Sequence, residues 1–398
     1  GTTSPCLTGT RWFQLMQLAH VTGIQIVLNV NANDMENVRQ LMEFTQRNAP
    51  SSTVVYGFEL AVVTAPEDEL PALLQSAYQQ GRSILQEMWP GDGTDVDSRP
   101  RLLGPAQCSE SLHVLLPRVQ DFIDIVSFGH FEVGDNTGDV ERLQEDPIQL
   151  GLFRKPSYYE AIIPNNGNQK NLVAWITQGN MVADDGLQNV TDTFASTLWL
   201  AHTLSSVAST SNIALYAKQS LVGLYDGLLD PETLEPRPDF YLLRLWKQLG
   251  IGNQTVGPVR MAPFHERVSV HAFCGEDNGQ VILVAVNLVD KEMELKVDSV
   301  GHASRQKYSM QTLTKNNDIR GREVTINGML QSMSSAVTTA PEVQQIASVV
   351  SLPAYSVTFL DMRSTTIAAC GGIPRTPAPM AESGSSSSPS KGLLVFIF

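Results

Sequence analysis

The chain has 398 residues, 42% of them hydrophobic and 17% charged, a composition that buries a sizeable core and excludes disorder over most of the length. It suits one large domain or two ordinary ones. Lys and Arg number 27 against 41 Asp and Glu, for a net charge of −14; so acidic a balance argues against nucleic acid, anionic membrane surfaces and highly sulfated polysaccharide as partners, because polyanion binding needs clustered cations.

The first 250 or so residues alternate helical and strand-like patterns. Trp12, Leu15, Met16 and Ala19 fall at helical spacing, Gly23 interrupts them, and Ile24 to Val30 reads as a buried strand. Asn33 and Asp34 supply N-cap candidates for a helix reaching about Arg47. A strand over Val54 to Leu60 and an amphipathic helix over Glu67 to Met88 follow. The alternation continues with strands at Arg101 to Pro105, Ile123 to His130, Leu172 to Thr177 and Ile213 to Gln219. Helices are predicted at Ser109 to Gln120, in stretches before Leu152, at Asp192 to Ser206 and at Asp239 to Leu249. These make six β/α units. An open doubly wound sheet wants a Gly-rich phosphate turn after its first strand, and the sequence has none. The alternative is an eight-unit barrel without its first two strands. Periodicity leaves both open.

After Gly257 the texture changes. Val268 to Phe273, Gln280 to Asn287, Glu292 to Val297 and Tyr355 to Leu360 are short, turn-bounded strands with no long helix between them, the pattern of an antiparallel β-sandwich. The domain division expected is 1–252, 253–368 and a tail over 369–398, with the boundary near Ile251 to Pro258. Ala369 to Ser390 is rich in Gly, Pro, Ala and Ser and reads as a linker. It leads into the apolar run Gly392 to Phe398, either the beginning of a membrane or lipid anchor or a plain hydrophobic terminus. No charged n-region or apolar h-region follows Gly1, so any signal peptide is expected to lie outside this chain.

The four cysteines, Cys6, Cys108, Cys274 and Cys370, have neither C-x-x-C spacing nor a histidine cluster, so no metal site is expected and no cofactor is implied. Asn189 and Asn253 begin N-x-[ST] sequons, glycosylation acceptors in a secretory context.

Several runs together resemble the heparanase family, endo-β-glucuronidases with plant relatives. They are Gln219 to Pro231, Pro236 to Tyr241, Leu245 to Gly250, Cys6 to Trp12, Asn31-Ala32, Asp192 to Phe194 and Leu352 to Phe359. The resemblance implies a (β/α)8 TIM barrel with a β-sandwich on its side. The six units here then correspond to barrel strands three to eight, and the first two β/α units are missing. In that family an N-terminal segment supplies them, which makes such a segment an expected partner. Without it, the sheet would expose two long edges.

The chemistry departs from the family pattern. Retaining glycosidases need two carboxyl groups roughly 5–5.5 Å apart, an acid/base and a nucleophile. The resemblance places the acid/base at Val63, in Phe58-Glu59-Leu60-Ala61-Val62-Val63, and a valine holds no transferable proton. Glu59 matches the family's other glutamate; strand spacing puts it roughly 13 Å from the required position. The nucleophile falls at Gln178, a neutral amide that cannot form a glycosyl ester. His130, Tyr225, Asn31 and Glu59 carry over as candidate substrate-binding residues. For His130, sugar binding or tuning of the nucleophile stands against a hydrogen-bonded remnant of descent. Asp184 and Asp185 read as solvated turn residues, and Glu67 as a residue of a helix N-terminus.

The resemblance also implies a Cys274–Cys370 disulfide, worth about 4–5 kcal/mol in the chain-entropy model. With the sequons it points to a secreted, extracellular or lysosome-like glycoprotein, membrane-anchored if the tail belongs to an anchor. The functional expectation is a heparanase-like pseudoenzyme, hydrolytically impaired, that acts on or binds glucuronic-acid polysaccharide or proteoglycan. The alternative is an active endo-β-glucuronidase with relocated catalytic groups.

Overall fold

The computed structural model describes residues 7–397 apart from 51–53, 63–64, 67, 91–98, 109–110, 135–136, 163–171, 184, 211–212, 252–264, 276–279, 297–306, 333–341, 346–348, 363–369 and 371–393. Helix α1 (Gly9–Thr22) begins where Thr8 Oγ1 accepts from the Arg11 N–H at 3.3 Å. It ends at Gly23, whose φ of 69° glycine reaches without strain. Helix α2 (Met35–Asn48) takes Asp34 as its cap, Oδ1 accepting from Asn37 N–H at 3.0 Å; Asn33 instead turns its own N–H to Asn31 Oδ1.

Six strands alternate with helices: β1 (Gln25–Asn31), β2 (Val55–Ala61), β3 (Arg101–Cys108), β4 (Ile125–Val133), β5 (Ala174–Val182) and β6 (Ile213–Lys218). They pair in sequence order and in parallel. Ile26, Val27 and Leu28 are all buried, as expected of a strand covered on both faces. The outer layer is α1, α2, α3 (Leu70–Met88), α4 (Leu112–Val119), α5 (Thr137–Glu145), α6 (Pro156–Ile162), α7 (Phe194–Ala208) and α8 (Pro238–Gln248). Tyr78 fixes α3 to the sheet. Its hydroxyl reaches Leu60 O (2.5 Å) and Leu103 O (3.0 Å), and a Cβ at Gly104 would lie 2.1 Å from it, so only glycine fits there.

The C-terminal region holds β7 (Val268–Cys274), β8 (Val281–Asn287), β9 (Met293–Lys296), β10 (Lys307–Lys315), β11 (Val324–Ile326), β12 (Met329–Leu330), β13 (Glu342–Gln345), β14 (Val349–Leu352) and β15 (Ser356–Met362). One antiparallel sheet runs β12-β11-β10-β15-β8-β7 with β13 on β10, and β9 pairs separately with β14. Helix α7 lies between the two regions. One core joins its Phe194, Leu198 and Trp199 to Val133 and Met181 of the parallel sheet and to Phe273, Val284 and Phe359 of the antiparallel one. The C-terminal region also caps it: Phe194 and Ala195 N–H groups donate to Gly321 O and Ile319 O, both at 3.0 Å.

Three expectations change. The short strand at Arg101 runs on to Cys108, and β10 to β14 include strands that the sequence pattern did not show. The tail is not wholly linker: β16 (Leu394–Ile397) pairs in parallel with Gln25–Leu28 of β1, so the β1 edge expected to be bare is occupied there. Among the described residues, no helix is long and apolar enough to cross a membrane.

Candidate active site

Inside the parallel sheet the side chains form layers. Val27, Leu103, Ile125 and Trp175 make an apolar floor with Tyr56 and Leu215. Above it sits Glu59, fully buried. Asn29 Nδ2 donates to one of its carboxyl oxygens and Thr177 Oγ1 to the other, each at 2.8 Å. The carboxylate thus ties β1, β2 and β5 together across the interior. Both of its oxygens are held by donors and the side chain is shut off from solvent.

Gln178 follows Thr177 and is half-buried. It pairs in register with Gly129 of β4, and a Cβ on Gly129 would lie 3.7 Å from Gln178 Cβ and 3.5 Å from the Phe131 ring. At the position expected to carry the nucleophile stands an amide, with a glycine and a phenylalanine beside it. Val63 and Asp184 lie outside the described residues, as do Glu67 and the sequon residue Asn253.

His130 faces the helices. It is 1% exposed, its ring packs 5.6 Å from both Tyr158 and Tyr159 on α6, and its Nε2 is 3.4 Å from Glu132 Oε1. Glu132 in turn accepts from Arg154 Nε (3.1 Å) and the Tyr159 hydroxyl (3.0 Å). Burial, then the Glu132 charge, pushes the Tyr159 phenol well up. The position expected at the barrel mouth is therefore part of a sheet-to-helix network. Period-two alternation along β4, with Ile125 in the interior layer and Val126 and Phe128 in the helix-side core, places Gly129 on the interior face and His130 on the helix face.

The other carried-over residues are placed as follows. Asn31 ends β1, exposed, with its Oδ1 occupied by the Asn33 N–H. Tyr225 is half-buried in the loop after β6, and its N–H donates to Asp185 O at 2.9 Å. Asn189 is exposed in the turn before α7 with a φ of 62°. Cys274 and Cys370 form a disulfide with Cα atoms 5.3 Å apart, closing 96 positions of chain.

The charge that survives lies at the ends of β5 and β6, and sequence reasoning missed it. Lys218, nearly fully buried, donates to Asn180 Oδ1 (2.6 Å), Asp226 O (2.8 Å) and Gln219 O (3.3 Å). The carboxylates of Asp226 and Asp239 lie 3.7 and 3.6 Å from its Nζ. Burial lifts both acids, Asp226 to about 6, while Lys218 pulls them back. Asp239 also accepts from Thr197 Oγ1 (2.7 Å) and Ser196 Oγ (3.3 Å) on α7. Asp192, before α7, pairs with Arg322 from the C-terminal region. These groups hold the loops that follow β5 and β6. Among the described residues, no group of three or more His, Cys, Asp or Glu side chains could hold a metal ion.

No family model matches the chain. It is 28% identical over 151 residues to heparanase-like protein 2 of Arabidopsis thaliana, spanning 36% of this chain and 27% of that protein. To the hyaluronoglucuronidase of Hirudo nipponia it is 23% identical over 221 residues, 52% of this chain and 43% of the other. To the baicalin-β-D-glucuronidase of Scutellaria baicalensis the figures are 26% over 371 residues, 82% and 66%. In sequence the chain is similar to heparanase-like proteins. The matched segments span less than half the length of the first two of these relatives. In structure it is similar to the GH51 arabinofuranosidase of Xanthomonas axonopodis pv. citri, with a TM-score of 0.59 at 13% identity over 89% of this chain and 78% of that one. That likeness concerns the fold alone: the parallel sheet is a half-barrel of the (β/α)8 kind.

Proposed function

We propose that this chain is a heparanase-like protein that binds glucuronic-acid-containing glycans and is impaired in hydrolysing them. One observation supports the reading: the position that the resemblance assigns to the nucleophile is Gln178, and among the described residues of the interior the carboxylate present, Glu59, is locked by Asn29 and Thr177. Relatives named for hyaluronan and baicalin glucuronides support a glucuronide as the ligand class. The net charge of −14 favours weakly charged glucuronides over heavily sulfated chains.

The proposed organisation is a partial barrel over 1–252, a β-sandwich over 253–368 and a tail over 369–398. An N-terminal segment would supply the two absent β/α units. Its docking is supported by the apolar side of α1, where Phe13, Leu18 and Val21 are about half exposed or more, and by exposed Leu221, Val222 and Leu224 after the last strand of the half-barrel. The Cys274–Cys370 disulfide supports a secreted or lysosome-like location, with Asn189 and Asn253 glycosylated. Anchoring to a membrane through the tail is part of the same proposal.

Calorimetric titration with an oligosaccharide of hyaluronan, run beside a turnover assay on it, tests the reading. Binding without release of reducing ends is expected. Turnover with retention of configuration would overturn the impairment; absence of binding would overturn the ligand class.

A further inference from the structure

Two imidazoles meet where α7 packs on β7. His202, in the middle of α7, has Nε2 3.0 Å from Arg154 O and 3.4 Å from Ser206 Oγ, and Nδ1 3.1 Å from Ser269 Oγ on β7. Since a carbonyl oxygen can only accept, Nε2 carries the hydrogen and Nδ1 accepts from the serine hydroxyl while the ring is neutral. His271, two positions farther along β7, has Nδ1 3.0 Å from Ser209 Oγ, at the end of α7. The bonds cross: each histidine reaches a serine on the opposite element. The ring centroids are 6.2 Å apart, with Phe153 edge-on to His202 and Phe273 stacked on His271.

Few charges face this pair. Glu132 of β4 is the anion near His202, but it is already bound to the Arg154 guanidinium, which comes from the segment before α6. The group facing His271 is His202 itself. A proton on either ring would therefore be buried among aromatic rings and hydroxyls, beside a second imidazole, with the one nearby carboxylate among the described residues engaged elsewhere.

We propose that His202 and His271 form an acid-sensitive latch that holds α7 to β7 while both rings are neutral and loosens the junction when either takes a proton. The position makes the effect large, because α7 also carries the contacts between the parallel and antiparallel sheets. Burial lowers both rings from the ordinary 6.5, His271 to about 4, His202 adding to the latter effect. An unfolded or detached histidine binds its proton first as pH falls, so the latch is secure above about 6.5 and weakens progressively below it.

Hydrogen–deuterium exchange of the full chain at pH 7 and pH 4.5, corrected for intrinsic exchange rates, reads the latch directly. Amides of β7 and of the second half of α7 should lose about tenfold or more of their protection relative to β2, one pKa unit of coupling being a factor of ten. His271→Gln keeps a hydrogen-bonding partner for Ser209 but cannot take the proton, and should abolish much of that difference; His202→Gln should act in the same direction. Should either glutamine variant fail to fold by circular dichroism, His271→Phe, which preserves the stacking on Phe273, replaces it. Protection of β7 that is the same at both pH values, or an equal loss in the wild type and the folded variants, would overturn the latch.

Discussion

Two buried polar sites lie a short way apart on the same parallel sheet, and they have fared differently. Around Glu59 and Gln178 the sheet holds one carboxylate with neutral donors, and the position that needs a reactive charge carries an amide. Around Lys218 the sheet keeps a cation between two carboxylates that lie within 4 Å of it. The first site would be required for bond cleavage, the second for holding the loops after β5 and β6 onto α7. On the proposed reading the side chains that hold the loops after β5 and β6 remain while the groups for cleavage do not, since a scaffold can keep a binding cleft without keeping its chemistry.

The largest effect that would sharpen this contrast comes from Lys218→Met. It strands Asp226 and Asp239 without their cation, and a buried pair broken on one side costs about 3–5 kcal/mol. Urea denaturation at pH 7 should show that loss; a change below 1 kcal/mol, against the roughly 3–5 expected, would mean that the cluster does not hold the fold.

The next effect depends on pH. Asp226 keeps its proton up to about pH 6 against an ordinary 3.8, so the native state binds more protons in that window and its stability falls as pH rises through it. His271 works in the opposite sense: its folded value near 4 lies below 6.5, so stability is lost as pH falls through that range. Each contribution is about 3 kcal/mol, and the two windows overlap enough to cancel in part. Asp226→Asn should therefore make the protein lose more stability between pH 7 and 4.5 than the wild type does, measured by urea midpoints. Parallel curves for the two proteins would contradict the assignment.

Glu59→Gln should cost less. The isosteric amide can keep its oxygen on Asn29 and donate its NH2 to Thr177 Oγ1, whose hydroxyl then turns to Phe128 O, so neutral bonds replace charge-assisted ones at a loss of about 1 kcal/mol. Urea denaturation checks this, and the substitution should leave glycan binding intact because the carboxylate is sealed from the mouth.

Much of the fold was legible in the sequence because the strands buried on both faces are continuous apolar runs, Ile24 to Val30 and Gln280 to Asn287 among them. Strand β10 was not: Lys-Tyr-Ser-Met-Gln-Thr-Leu-Thr-Lys mixes polar and apolar side chains, and its place between β11 and β15 depends on tertiary pairing. Gln178 is assigned to the nucleophile position only through the seventeen-residue spacing of Trp175 and Asp192 that the resemblance supplies. His130 is not oriented by the sequence, because the run from Ile123 to Phe128 is apolar on both faces and does not say which face is the interior. The Lys218 cluster gathers residues from β5, β6, the following loop and α8, a spread with no local motif to reveal it.

The most direct test of the central claim is turnover of 4-nitrophenyl β-D-glucuronide by the wild-type chain, with Glu59→Gln and Asp226→Asn beside it. The expected result is no release of nitrophenol above the buffer rate in any of the three, with the glucuronide still bound in calorimetry. Release by the wild type that disappears in either folded variant would contradict the account and assign catalysis to that carboxylate.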